Sequence, residues 1–314
     1  MSVDTHGVEV FEAARARLEA IAYRLLGSAS DAEDAVQDTF LRWQSADREH
    51  VGTPEAWLTK VLTNLCLNRL TSARARRETY VGQWLPEPVF AGDRMLGPSD
   101  TVEQRESVSI AMLTLMERLT AKERVVYVLR EAFGYAHAEI AEVLDLTESH
   151  CQQIHRRAKQ HLAADRRRVE VDAAAARKIV EEFLAAALSG RTDSLVKMLA
   201  DDAVSIGDGG GAVFSVPRPV TGALRVARFL RTLFTPSEAK WEMVGGRPDL
   251  HAAVTNGMPA LVMVVGERVA GVVTLDVTAD GIAAVHAQAN PAKLERATRR
   301  WGTAEHGEPL AGNW

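Results

Sequence analysis

Between Ser149 and Lys159 six polar side chains recur at helical spacing: Ser149, Gln152, Gln153, Arg156, Arg157 and Lys159. Glutamine and arginine carry paired groups that match base edges in a major groove, whereas serine and lysine suit phosphate oxygens. The residues between them, Cys151, Ile154, Ala158 and Leu162, are apolar, so a helix that buries these four turns the polar six outward. That chemistry is recognition of a duplex; the alternative is an ordinary solvated basic face. A second set is Asn64, Asn68 and Arg69, in a long amphipathic stretch with Trp57 near its start. Edge hydrogen bonds and stacking on an indole can hold an extruded base, although Trp57 is equally open to a core role. The third set is Asp208, His251 and His286, the candidates for moving a proton. Spacing pairs no nucleophile, base and orienting group among them, so no enzymatic activity is expected.

The elements that must position these residues are legible around them. Thr120-Ala121-Lys122-Glu123 is a capping box at a helix start, and Val125, Val126, Val128 and Leu129 supply that helix's apolar side. Gly134-Tyr135 breaks it. A short second helix carries Ile140, Ala141, Val143 and Leu144, and the small Ala141 permits a close helix crossing. In the turn Asp145-Leu146-Thr147 the aspartate tolerates a left-handed backbone, and Thr147 caps a third helix, Glu148 to Leu162. Together these make a helix-turn-helix. Upstream, residues 10–43 read as two helices parted by Gly27-Ser28-Ala29, the second opened by the capping box Ser30-Asp31-Ala32-Glu33. Thr53-Pro54 then starts a helix over 55–75 that turns Trp57, Leu58, Val61, Leu62, Leu65 and Leu70 inward and ends in Arg74-Ala75-Arg76-Arg77.

Charge is distributed unevenly along the 314 residues, whose formal net charge is −5. Residues 156–168 hold six basic side chains against Asp165, while residues 31–38 hold Asp31, Glu33, Asp34 and Asp38 with no base. A protein that gripped DNA unaided would be basic overall, because phosphate neutralisation supplies most of the affinity. This polarity implies an anionic partner and a second, protein partner. A hydrophobic fraction of 46% supports packed cores, and no apolar run is long enough to span a bilayer. With no secretion signal visible, a cytoplasmic location is expected. Cys66 and Cys151 fall on apolar helix positions and are expected to be reduced thiols, not metal ligands or a disulfide.

Residues 78–100 are rich in proline, glycine and polar side chains and form a linker, yet they contain the extended apolar cluster Trp84-Leu85-Pro86-Glu87-Pro88. A helix over 100–119 follows. Beyond Arg168 enough chain remains for another domain: a helix over 171–188, a short helix over 192–199, a strand over 203–207 and a helix over 223–234. Strand-like runs come near 240–244, 260–265, 269–277 and 282–288, the last two joined by the hairpin signal Ala279-Asp280-Gly281. Helices followed by a curled antiparallel sheet make an α+β cone. Asp208-Gly209-Gly210-Gly211 lacks the spacing of a nucleotide-binding loop, and no cofactor is expected.

The acidic Asp31-Ala32-Glu33-Asp34 helix ending in Phe40-Leu41-Arg42-Trp43, the Pro54-Glu55-Ala56-Trp57-Leu58 start, Asn64 and the helix-turn-helix together resemble the extracytoplasmic-function sigma factors of bacteria. The C-terminal segment resembles the SnoaL-like branch of the nuclear transport factor fold. With the 84–88 cluster, the glycine run and Asn290-Pro291-Ala292-Lys293-Leu294, the whole chain is similar to the sigma factors that carry such a domain fused at the C-terminus. The resemblance implies a multidomain chain with two all-α sigma domains, the second a helix-turn-helix, and a SnoaL-like cone. Their expected bounds are 1–78 for region 2, 79–104 for the linker, 105–168 for region 4, 169–295 for the cone and 296–314 for a tail. It also implies roles. Asp31, Glu33, Asp34, Gln37, Asp38 and Leu41 would dock on the clamp of the β′ subunit of core RNA polymerase. Trp57, Asn64, Asn68 and Arg69 would melt and read the minus-ten element of promoter DNA, with the flipped base near residues 45–52. The polar face of the third helix would read the minus-thirty-five element.

An apolar cluster is costly to leave in water, so the cone is expected to cover it, through Asp208, Gly209, Gly210, Gly211, Asn290, Pro291, Lys293 and Leu294, with Lys293 opposite Glu87. Such docking would regulate the sigma factor in cis. An autonomous regulator sensing a small molecule in the cone, and an enzyme with a DNA-binding module, are the competing readings. If the third helix reads bases, replacing a base-contacting arginine among Arg156 and Arg157 costs about 1–3 kcal/mol of DNA affinity and relaxes one base preference, whereas loss of Lys159 weakens all sequences alike. Binding assays on a panel of single-base variants check this, and uniform losses would reduce the face to a phosphate clamp.

Overall fold

The computed structural model describes residues 5–78, 80–97, 101–162 and 172–314. They fall into two compact units: Met1–Thr79, Gly92–Val108 and Met112–Ala164 make the first, and Tyr80–Ala91, Ser109–Ala111 and Asp165–Trp314 the second. The expected linker 79–104 is therefore divided, its first part joining the C-terminal unit and its second part the helical one.

The helical unit begins with α1 (Thr5–Leu26), α2 (Ala29–Ser45) and α3 (Pro54–Glu78). Gly27 adopts φ 67° and ends α1. Ser28 follows at once in an extended conformation and accepts from the Asp31 amide at 3.0 Å. The cap of α2 is thus Ser28 and not Ser30, because the tight reversal leaves no residues to spare. After α4 (Val102–Glu106) and α5 (Ile110–Leu115), α6 (Ala121–Tyr127) starts at the expected capping box of Thr120 and Glu123 and continues as one π turn over Val128–Ala132. The helix expected over 100–119 is broken into these shorter pieces. α7 (His137–Leu144) ends at Asp145 in the left-handed region, and α8 (Glu148–Leu162) is capped by Thr147 Oγ1 at 3.3 Å from the His150 amide. Arg166, Arg167 and Arg168 lie outside the described residues.

One charge organises this unit. Arg24 of α1 is fully buried, and its guanidinium donates to Ser107 Oγ at 2.8 Å and to the carbonyls of Leu96 at 2.6 Å, Gln104 at 3.2 Å and Met95 at 3.4 Å. Burial pulls its pKa down to about 10, so the guanidinium still carries its charge at neutral pH. Gly97 makes room for it, since an added Cβ would stand 2.9 Å from Arg24 Nη1.

The second unit is the α+β cone. α9 (Ala173–Leu188) and α10 (Thr192–Val196) precede β1 (Leu199–Asp208) and β2 (Val220–Thr221); α11 (Ala223–Leu233) and α12 (Glu238–Val244) then lead into β3 (Asp249–Thr255), β4 (Met258–Val265), β5 (Arg268–Thr278) and β6 (Gly281–Gln288), and α13 (Pro291–Trp301) follows. The sheet order is β2-β1-β6-β5-β4-β3, antiparallel throughout except where β1 runs parallel to β6. One face packs Phe183, Val226, Leu230 and Phe234 against Leu261, Val273 and Val285; the other packs Leu294, Ala297 and Trp301 against Val262, Val269 and Val272.

Three expectations differ here. The run at 240–244 is helical, because Gly245 at φ 83° caps a short stretch of helix formers and the run buries no residue of its own. The strand β3 was not foreseen, its Ala252-Ala253 centre having little strand propensity. The boundary expected at 295 falls inside α13, which Asn290 caps and Pro291 opens.

Replacing Arg24 with methionine leaves several buried carbonyls without a donor. Urea unfolding of the full chain is expected to show a loss of about 3 kcal/mol or more; a loss under about 1 kcal/mol would mean that other donors reach those carbonyls.

Candidate nucleic-acid interface and linker site

The acidic helix presents a mixed surface. Glu33, Asp34, Gln37 and Leu41 are exposed along one side of α2, and Leu41 is 54% exposed, an apolar side chain set among charges. Asp31 and Asp38 are half-buried for a reason the local sequence conceals. Arg69 of α3 places Nη2 2.8 Å from Asp38 Oδ2 and Nη1 3.3 Å from the Asp31 carbonyl, and lies 3.8 Å from carboxylate oxygens of Asp31 and Asp34. Three of the four acids, Asp31, Asp34 and Asp38, thus share a counter-base supplied from another helix. The same geometry separates Arg69 from Asn64 and Asn68, which remain exposed one turn apart on α3. Adjacent numbering does not place a helical residue on its neighbour's face.

At the start of α3 a cavity of about 460 Å³ is lined by Asp47, His50, Val51, Gly52, Thr53, Ala56 and Trp57. This is the loop where a flipped base was expected. Trp57 is both wall and core: half-buried, its ring centroid stands 5.3 Å from that of Trp43, whose buried Nε1 donates to the Gly7 carbonyl at 2.7 Å.

On α8, Ser149, Gln152, Gln153, Arg156, Arg157 and Lys159 are all exposed, and Cys151, Ile154, Ala158 and Leu162 are buried. Lys159 leans toward Glu131 at 3.6 Å, so a phosphate would compete with that carboxylate. His155 was not singled out by the sequence; its Nε2 lies 2.8 Å from Glu131 Oε1 and its Nδ1 3.2 Å from His137 Nε2, with burial holding its pKa below the usual value. Both cysteines are buried thiols, and burial pushes Cys66 up to about 12.

In the second unit the cluster Trp84-Leu85-Pro86-Glu87-Pro88 lies on the cone, with Leu85, Pro86, Glu87 and Pro88 buried and Trp84 half-buried. Its anchor is Asp208, 1% exposed. The carboxylate accepts from Tyr80 Oη at 2.6 Å, the Leu85 amide at 2.9 Å, the Gly210 amide at 3.0 Å, Gln288 Nε2 at 3.3 Å and Lys293 Nζ at 2.6 Å. Lys293 also donates to the Leu85 carbonyl at 2.7 Å and sits over the Trp84 ring at 4.3 Å. Sequence reasoning set Lys293 opposite Glu87, and its ion pair with Asp208 was not foreseen. Gln288 reaches the Leu85 and Pro86 carbonyls at 3.3 Å, while Asn290 Nδ2 donates to Tyr80 Oη at 2.7 Å. Desolvation and the Asp208 carboxylate raise the Tyr80 pKa, keeping the phenol a donor.

The glycine run is a steric requirement. A Cβ on Gly209 would meet the Val213 carbonyl oxygen at 1.9 Å, and one on Gly210 would meet Asn290 Nδ2 at 2.3 Å; a Cβ on Gly211 would fall 3.4 Å from Val81. Pro291 and Leu294 serve the fold, one as the first residue of α13 and the other in the apolar cluster on which Phe90 packs. Beyond the cluster, Val89 exchanges hydrogen bonds with Asn256 at 2.8 and 2.9 Å, and Phe90 bridges to Thr255. Tyr80, Gln288 and Asn256 carried no local signal, being polar residues that matter only through partners distant in sequence.

The three proton-transfer candidates are dispersed. Asp208 is engaged as described, and His251 packs against Trp301 and His306, its pKa lowered by burial. His286 is buried on β6 outside the lining of the cavity that Asp208 borders. Among the described residues no cluster of His, Cys, Asp and Glu fits a metal ion, and no helix is long and apolar enough to cross a membrane.

Residues 10–76 match the family model Sigma-70 region 2, and residues 109–162 match Sigma-70, region 4. The ECF RNA polymerase sigma factor SigJ of Mycobacterium tuberculosis is 39% identical over 224 residues, 71% of this chain and 72% of its own length. The probable ECF RNA polymerase sigma factor SigI of the same organism is 31% identical over 292 residues, 91% of this chain and 93% of its own. The crystal structure of M. tuberculosis SigJ superposes with a TM-score of 0.69 at 31% identity, covering 91% of this chain and 97% of that one. Such coverage runs through both helical halves and the cone, and the chain belongs to the extracytoplasmic-function RNA polymerase sigma factors.

Proposed function

We propose that this sigma factor is held in a closed state by its own C-terminal cone, which grips the connection between the two promoter-reading halves. The observation that carries this reading is the buried Asp208 carboxylate, which takes two of its donors, the Tyr80 hydroxyl and the Leu85 amide, from that connection. A loose tether would have no use for such a site.

Size supports the closed state. The minus-ten and minus-thirty-five elements lie about 25 steps apart, on the order of 85 Å along a duplex. A compact unit of roughly 150 residues, which is what the two halves form here, spans on the order of 40 Å. Both elements can be read together only after the halves part. The contacts that would yield include Lys60 to Asp145 at 2.6 Å and Thr59 Oγ1 to Tyr135 Oη at 3.1 Å. The first is largely solvated and stabilises by at most about 1 kcal/mol. In the open state the cavity beside Trp57, with Asn64 and Asn68, would take an extruded base of the minus-ten element. The α8 face would read the minus-thirty-five element. The side of α2 bearing Glu33, Asp34, Gln37 and Leu41 would dock on the β′ clamp, with Arg69 holding Asp31 and Asp38 in place behind it.

Two experiments test this. Leu41→Asp is expected to abolish pull-down of core polymerase with stability unchanged within about 0.5 kcal/mol, whereas Arg69→Met, which strips the acids of their counter-charge, lowers stability by about 1 kcal/mol. Retained pull-down by the Leu41 variant would remove α2 as the docking surface. Run-off transcription with core polymerase on a library of promoter templates then compares the full chain with Trp84→Ala and Asp208→Asn. Both variants are expected to transcribe several-fold more and to be cut faster by protease within residues 80–91. Equal transcription and equal protection in all three would sink the closed-state reading.

A further inference from the structure

One acid of the helix-turn-helix has a charge that the fold does not use. Glu131 is carried on the π turn over Val128–Ala132, and π turns are rare and gather at functional sites. Its side chain is 18% exposed and has two neighbours on α8: Oε1 lies 2.8 Å from His155 Nε2, and Oε2 lies 3.6 Å from Lys159 Nζ. Glu123, an acid of α6 that also reaches α8, accepts from the Thr120 amide and hydroxyl at 2.9 Å and so has a cap to serve. Glu131 accepts from no backbone donor among the described residues, and a neutral acceptor in its place would hold His155 equally well.

The imidazoles fix where that carboxylate points. Burial holds the His155 pKa below its usual value, so the ring is neutral at pH 7. An ionised carboxylate only accepts, which makes His155 Nε2 the donor and leaves Nδ1 to accept from His137 Nε2–H at 3.2 Å. A chain of two hydrogen bonds from α7 thus holds one oxygen of Glu131, and the other stays turned to Lys159. Helical rotation of about 100° per residue sets Arg156 close to midway between Gln152 and Gln153, at the crest of the polar face, and Lys159 about 60° to the side, on the flank that His155 borders. A groove-bound helix meets bases at its crest and phosphates along its flanks. Glu131 therefore holds an amine that is placed for a phosphate.

We infer that Glu131 is a positioning residue that throttles the duplex affinity of α8: by competing for Lys159, its carboxylate makes the polymerase-free chain grip every duplex less tightly than its basic residues permit. The inference rests on the reading of α8 as a duplex-binding face. Such restraint suits a chain that finds its promoters together with core polymerase, since phosphate contacts act on any sequence and a genome offers about 10⁶–10⁹ competing sites.

The test measures binding of the full chain, without polymerase, to a labelled mixed-sequence duplex and to the preferred duplex from the single-base panel. Glu131→Gln, which still accepts from His155, should bind both about two- to fivefold more tightly, the reach of one exposed ion pair. Glu131→Asp keeps the charge and should bind within about 1.5-fold of the natural chain. In a Lys159→Gln background, adding Glu131→Gln should gain less than about 1.5-fold. No gain from Glu131→Gln while Lys159→Gln weakens binding would overturn the throttle and leave the reading of α8 standing. No effect of Lys159→Gln on either duplex would overturn both the throttle and the phosphate role of Lys159. A gain shared by Glu131→Asp, or one that persists at full size beside Lys159→Gln, would assign the effect to altered packing and overturn the competition.

Discussion

A carboxylate removed from water must be matched by donors or it costs several kcal/mol, and Asp208 is the place in the cone where that constraint decides the surroundings. It sits at the end of β1 beside β6, so Gln288 reaches it across the sheet and Lys293 from the first turn of α13. The glycines after it let the chain turn back closely enough for the Gly210 amide to join them. Those three donors leave the site incomplete, and residues 80–91 supply the remainder. The dependence runs both ways. Take the linker away and Lys293 loses the Leu85 carbonyl and the Trp84 ring, while the apolar cluster returns to water. Since an orphaned buried group costs more than a hydrogen bond gains, the site favours this one segment over a generic apolar peptide.

The helical unit solves the same problem with the opposite sign. Arg24 is buried among carbonyls, and most of those belong to the second part of the connection, Met95, Leu96 and Gln104. The chain between α3 and α6 is therefore held by two buried charges, an acid of the cone acting on its first part and a base of α1 on its second. Phe133 lies under the Arg24 guanidinium at 5.3 Å, so the base also touches the helix-turn-helix half. Releasing one anchor frees only one part of the connection. On the closed-state proposal, weakening Asp208 would loosen residues 80–91 while the residues caged by Arg24 keep their place on α1.

What the sequence made legible was local. The Thr120 and Glu123 capping box, the left-handed Asp145, the buried and exposed stripes of α8 and the hairpin at Gly281 each depend on residues a few positions apart, so spacing alone determines them. The docking of the 84–88 cluster was legible for another reason: apolar residues between prolines have no local way to be buried, and something must cover them. The pairings were not legible. Arg69 meets Asp38 from 31 positions away, Tyr80 meets Asp208 from 128 and Gln288 meets Leu85 from 203. No periodicity reports such distances. Arg24 carried no signal in the sequence, because the carbonyls that cage it have no side-chain signature. The strand β3 and the helix α12 were misread where weak propensities were overruled by packing and by the glycine that follows α12.

On the proposed reading the grip of the cone has to be strong enough to hold and weak enough to release, and the magnitudes lie near that balance. Trp84, Leu85, Pro86, Pro88, Val89 and Phe90 are buried or half-buried on the cone, worth about 12 kcal/mol at about 2 kcal/mol each. The ten hydrogen bonds that tie residues 80–91 to the cone add about 10 kcal/mol at about 1 kcal/mol each. Ordering twelve residues opposes this with about 18 kcal/mol at about 1.5 kcal/mol per residue. The difference is only a few kcal/mol. Reversing a two-state equilibrium from 1:99 to 99:1 takes about 5.5 kcal/mol, which is within reach of a polymerase interface. Apolar burial alone would fall short of the ordering entropy, so on the proposed reading it is the hydrogen bonds of residues 80–91, those to Asp208 among them, that leave the closed state populated.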